Sequence, residues 1–129
     1  MKTIKKIIIS STLLLLSMTS VSAAWSEIFT VSVPRWGGWS APSQPVKKVD
    51  DSRYAYFNLN TAPHAFPLYG DLFEHSERST ETYYKLTLGK NTRMFYKTNK
   101  GENGSYQQGR VSSSNYEPSE RRVTFRINP

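Results

Sequence analysis

Apolar positions follow two regimes along the chain. From Ile7 to Met18 they run almost continuously, broken by Ser10, Ser11, Thr12 and Ser17; from Ile28 onward they recur at every second residue. Period two marks strands with one covered face and one wet face, as in antiparallel sheets. Ile28–Val33 predicts a first strand with Phe29, Val31 and Val33 on one face and Ile28, Thr30 and Ser32 on the other, and Pro34 keeps it from continuing as a central one. Residues 35–51 carry Gly37, Gly38, Pro42 and Pro45 and predict a long loop or crossing segment. Arg53–Leu59 follows, with Ala55, Phe57 and Leu59 opposite Tyr54, Tyr56 and Asn58. Ala65–Phe73 contains Pro67 and Gly70, which predicts an edge strand or a bulge. Residues 74–80 are polar and predict an exposed connection.

The second half repeats the pattern. Glu81–Leu88 sets Tyr84, Leu86 and Leu88 against Tyr83, Lys85 and Thr87, and a tight turn at 89–91 leads into Thr92–Thr98, where Met94 and Tyr96 oppose Arg93, Phe95 and Lys97. Asn99–Gly104 predicts a type I′ hairpin, because Asn-Gly tolerates positive φ. Tyr106–Ser114 is a polar strand, residues 115–119 a turn, and Arg121–Asn128 closes the chain with Val123, Phe125 and Ile127 inward. Six or seven short strands with Gly, Pro and Asn turns predict an all-β domain, an antiparallel β-sandwich or small barrel.

The first regime reads as a cleavable signal helix. Lys2, Lys5 and Lys6 form a positive n-region, residues 7–18 a short apolar core, and Val21-Ser22-Ala23 places small residues at −3 and −1 of a cut after Ala23. A spanning helix requires about 20 apolar residues, and this run is 12 residues long in all, four of them hydroxyl-bearing. The expected organisation is a signal peptide over 1–23, a single domain over 24–129, and a secreted product.

Charge and cysteine content narrow the function classes. The leader takes three of the 17 Lys+Arg and none of the ten Asp+Glu, so the mature charge is +4 rather than +7. That surplus suits attraction to anionic surfaces and predicts no nucleic-acid partner, which would require clustered basic residues. With no cysteine there is no disulfide and no thiolate chemistry. The 17 aromatics, all beyond the leader, must supply the core that small exported domains often reinforce with cross-links.

Enzyme chemistry finds little to stand on. His64 and His75 lack metal-motif spacing and read as surface residues; no G-x-S-x-G elbow or phosphate loop occurs. Asp71, Glu74, Glu77 and Glu81 read as a solvated patch. We expect no catalytic residue, no metal site and no cofactor. Binding chemistry is better represented. Trp25, Trp36 and Trp39 form one set, the latter two flanking Gly37-Gly38 in a loop. They either cover an open end of the fold or anchor a partner, a sugar ring or a lipid headgroup layer. Tyr54 and Tyr56 share a strand face with each other, and beside Tyr83 they would line a platform suited to sugars or peptides, or simply pair across strands. Arg93 and Lys97, like Arg122 and Arg126, lie four apart on strand faces. In one sheet they make a basic strip for polyanions, or solvated positions that block edge-to-edge aggregation.

Behind the leader, the run Phe29-Thr-Val-Ser-Val-Pro-Arg35-Trp36-Gly37-Gly38 resembles small uncharacterised exported β-proteins of Gram-positive bacteria. Leader, size range, all-β character and lack of cysteine are also similar to bacteriocins of the lactococcin 972 type, without a residue-by-residue motif match. No functional residue is carried over from either likeness; the leader, the mild basic surplus and the outward residues together lead us to expect a secreted, non-enzymatic domain that binds at or near the bacterial cell surface, to an anionic envelope polymer or the membrane surface. The alternative expectation is a bacteriocin-like toxin that perturbs sensitive cells, with Trp36 and Trp39 as membrane-facing anchors.

Overall fold

The computed structural model describes residues 25–63 and 66–129. The expected leader over 1–23, its cleavage after Ala23, and His64 lie outside the described residues. Nine strands form: β1 (Phe29–Val33), β2 (Val46–Lys47), β3 (Tyr54–Thr61), β4 (Leu68–Glu74), β5 (Glu77–Arg78), β6 (Tyr84–Leu86), β7 (Asn91–Phe95), β8 (Tyr106–Ser113) and β9 (Arg121–Asn128). They make two antiparallel sheets packed as a sandwich. The first runs β1-β9-β3-β7; the second runs β2-β8-β4, with β5 and β6 end to end along the far edge of β4. The seven longer strands fall where period two predicts them. β2 and β5, two residues each, are too short to show a period and exceed the expected six or seven.

Alternation builds the core. Phe57, Leu59, Met94, Val123, Phe125 and Ile127 of the first sheet meet Leu68, Leu72, Leu86 and Val111 of the second, all at most 6% exposed. Phe57 and Phe125 stack at 4.6 Å between ring centroids. Gly109 on β8 makes room for that pair, since a Cβ there would stand 2.5 Å from Phe125 Cε2. Each fully buried side chain of this size contributes roughly 1.5–3 kcal/mol, which lets packing stand in for disulfides.

Four expectations are corrected. β4 is not an edge strand: it bonds β8 on one side and β5 and β6 on the other. Pro67 precedes its first residue and so removes no ladder bond, and Gly70 admits the Leu86 side chain, 3.1 Å from where a Cβ would sit. Residues 74–80 are not an exposed connection, because Glu74, Ser79 and Thr80 are buried and Glu77–Arg78 pair with β4. Asn99–Gly104 is not a hairpin. β7 pairs β3 and β8 pairs β4, so the segment crosses between sheets, with positive φ at Asn99, Gly101 and Gly104 but not at Asn103. The strand expected over 81–88 is shorter: β6 ends at Leu86, and Leu88, set on one face with Tyr84 and Leu86, is 54% exposed.

Lys48 closes the end of the sandwich. It is fully buried, and its Nζ donates to Asp50 Oδ1 (2.6 Å), Ser52 Oγ (3.0 Å) and the Pro129 carbonyl (3.1 Å), with the Tyr96 ring beneath it. Tyr96 Oη donates to the same carbonyl, and burial raises its pKa well above the ordinary phenol value. A lysine stem with every ammonium proton engaged tolerates an interior that an unpaired charge would not.

Candidate functional site

The two sheets turn very different outer faces to solvent. On the first sheet, alternation sends Tyr54, Tyr56 and Asn58 of β3, Asn91, Arg93 and Phe95 of β7, and Arg122, Thr124 and Arg126 of β9 outward. The register lays Arg93 beside Tyr56 and Arg126 beside Asn58, so both arginines flank β3. Strand spacing separates their Cα atoms by about 12 Å. Arg93 lies over the Tyr54 ring at 4.7 Å and donates to Tyr56 Oη at 2.9 Å, a bond that raises its already high pKa. Arg126 lies over the Trp25 ring at 4.7 Å. Among the described residues, no carboxylate is within ion-pair distance of Arg93, Arg122 or Arg126. Arg93, Arg122 and Arg126 thus occupy one face of one sheet. Lys97 does not join them: β7 ends at Phe95, and the Lys97 backbone turns away to bond Ser79 and Arg53.

The second sheet carries a different cluster that the sequence did not announce. Asp71 of β4 is fully buried beneath two arginines. Arg110 grips it in two bonds (Nε–Oδ1 3.0 Å, Nη2–Oδ2 2.6 Å) and Arg78 Nε adds a third at 2.7 Å. Fork geometry of this kind is the strong form of carboxylate recognition. Arg110 lies over the rings of Phe73 (3.6 Å) and Trp39 (4.4 Å), and Arg78 over Trp39 and Tyr83. Tyr83 meets both Trp39 and Tyr69 edge to face. The acidic patch expected at 71–81 therefore divides: Asp71 and Glu74 are buried, Glu74 bonding Gln107 and Gly101, while Glu77 and Glu81 remain exposed. Residue order hid this, because Asp71, Arg78 and Arg110 meet only through the pairing of β4 with β5 and β8. A charged residue at mid-strand in the otherwise apolar Leu68–Phe73 run was the available signal.

The three tryptophans separate. Trp25 joins the basic face, Trp39 the second sheet, and Trp36 stands 58% exposed at φ 58° in the loop between β1 and β2. That loop is pinned: Trp36 N donates to the Glu117 carbonyl, Gly37 N to Ser113 Oγ, and Ser113 Oγ to the Pro34 carbonyl. Tyr54 and Tyr56 lie on one sheet and Tyr83 beside the other, so they do not share a platform. His75 is exposed at a positive-φ turn between β4 and β5. Among the described residues, no group of three His, Cys, Asp or Glu is placed to hold a metal ion.

No protein-family model and no curated protein matches the chain. Among solved structures, the crystal structure of PirA is similar with a TM-score of 0.42 and 11% sequence identity, over 80% of this chain and 93% of that one.

Proposed function

We propose that the chain is a secreted, non-enzymatic binding domain whose first-sheet face holds an anionic polymer of the bacterial cell surface. The observation that carries this reading is the set of three outward arginines with no carboxylate partner among the described residues. Two of them lie against aromatic rings, which restrict their motion and lower the entropic cost of binding. Adjacent Asn58, Asn91 and Thr124 add hydrogen-bonding groups for the linkages between charges. The test is retention of the domain on immobilised teichoic acid through a salt gradient. Retention that weakens as salt rises, and collapses when Arg93, Arg122 and Arg126 are all changed to alanine, supports it. Retention indifferent to both salt and those substitutions overturns it.

One observation favours a second reading. Trp36 is held outward by a backbone conformation that L-residues adopt at a cost, as a membrane-facing anchor of a bacteriocin-like toxin would be. In that reading Trp36 acts without Trp39, which belongs to the second sheet and packs against Arg110. Growth inhibition of related strains by the purified domain, lost in Trp36→Ala, separates it from surface binding.

A further inference from the structure

The loop before β2 and the end of β8 enclose a cleft of about 270 Å³ on the second sheet, on the opposite side of the sandwich from the basic face. Trp39, Tyr69, Tyr83 and Tyr116 supply its aromatic walls, and Ser112 and Asn115 are among its polar groups; none of its lining residues carries a charge. We propose that this cleft is a binding site for a single uncharged pyranose ring, such as the terminal sugar of a surface glycan.

Three features converge on that ligand. A sugar ring presents C–H bonds on one side and hydroxyls around its rim, and the cleft offers aromatic surface together with hydroxyl and amide groups. Each serine oxygen accepts two hydrogen bonds and donates one. Their internal bonds, such as Ser112 Oγ to the Ser113 carbonyl and Tyr116 N to Ser114 Oγ, leave capacity for ligand hydroxyls. The volume lies just under the roughly 300–1,000 Å³ of sites for drug-sized ligands, which suits one ring better than a chain. No lining residue offers a charge to a phosphate, and the arginines behind the walls are engaged by Asp71, which favours a neutral ligand over the phosphate-rich polymer proposed for the other face.

The walls are also set in advance. Buried Asp71 fixes Arg110, Arg110 lies on Trp39, and Tyr83 bridges Trp39 to Tyr69. Such support from behind is what a precise binding surface requires. It also accounts for placing an expensive buried ion cluster on the outward side of a sheet: the cluster acts as the mount for the aromatic walls. Asp71 and Arg110 are positioning residues here, while Trp39 and Tyr83 touch the ligand.

The experiment is titration of the purified domain with the methyl glycosides of glucose, galactose, mannose and N-acetylglucosamine, followed through the three indole N–H signals in a ¹H–¹⁵N spectrum. A saturable shift of the Trp39 signal by at least one glycoside, with Trp25 and Trp36 unmoved, is expected. It should persist at high salt and in the Arg93, Arg122, Arg126 triple alanine variant, and be lost in Tyr83→Ser, which alters a half-exposed side chain and leaves the core intact. Absence of a Trp39 shift with every glycoside overturns the proposal, as does an unchanged shift in Tyr83→Ser. Methyl glucuronide is titrated beside them, and a response confined to it and erased by salt also overturns the proposal, since the ligand would then be anionic.

Discussion

Both outer faces of the sandwich combine arginine with aromatic rings, yet they spend the arginine charge in opposite ways. On the second sheet, Arg78 and Arg110 converge on Asp71, a carboxylate fully withdrawn from water, and their guanidinium planes rest on Trp39, Phe73 and Tyr83. On the first sheet, Arg93 and Arg126 rest on rings with no carboxylate among the described residues to meet them. Like pairings of residue types thus produce a structural mount on one side and an open electrostatic surface on the other. The deciding variable is the presence of Asp71, one residue on β4.

That contrast predicts a steep asymmetry in mutational cost. Asp71→Ala leaves two part-buried guanidinium groups facing each other without their anion, and breaking a buried pair in this way costs about 3–5 kcal/mol. Arg126→Ala, on the solvated face, should change stability by less than about 0.5 kcal/mol. Urea unfolding midpoints measure both, and equal losses would erase the distinction between the faces. The next largest effect concerns binding. Arginine near an anionic surface contributes about 1 kcal/mol each, so replacing Arg93, Arg122 and Arg126 together should weaken teichoic acid retention roughly 100-fold while the unfolding midpoint barely moves. Retention assays at fixed low salt decide this.

A smaller effect is expected at the loop between them. Gly37 sits at φ 76° with the Asn115 side chain packed where a Cβ would project. Gly37→Ala should cost about 1–2 kcal/mol through the left-handed backbone alone, read as a lower melting temperature, and it should disturb the Trp39 signal before those of the basic face. The smallest effect lies where the faces join. Hydrogen bonds from Lys48 and Ser52 hold the Asp50 carboxyl below its ordinary value of 3.8. A carboxyl depressed in the folded state adds stability above its unfolded value and loses it as pH falls through the folded one. Asp50→Asn should therefore flatten the acid limb of the stability curve below about pH 4, by less than about 1 kcal/mol, because the Asp50 side chain is 56% exposed. Acid titration followed by circular dichroism compares the two.

Much of the fold was legible because a side-chain period of two survives in any strand long enough to repeat it. Alternation puts Val123, Phe125 and Ile127 inward, and all three are fully buried. Strand partnership was not legible. Pro67 and Gly70 argued for an edge, but one lies just outside β4 and the other makes room for Leu86. Asn103-Gly104 carries the residue types of a hairpin, yet β7 already has its partner in β3. The same limit divided the candidate site. Arg93, Arg122 and Arg126 were readable as outward residues, and only their shared sheet awaited the structure. Asp71, Arg78 and Arg110 were invisible as a unit, because their meeting depends on which strands pair rather than on any local spacing.

Adjacency in sequence counts for little in this sandwich, and β1 states the case most strongly, for its partner is β9. The first sheet cannot be completed on a growing polypeptide until Asn128 is available, so a ribosome-tethered chain would hold an apolar Phe29 edge with nothing to cover it. Such dependence on distant pairings slows folding and favours one concerted closure of the whole domain.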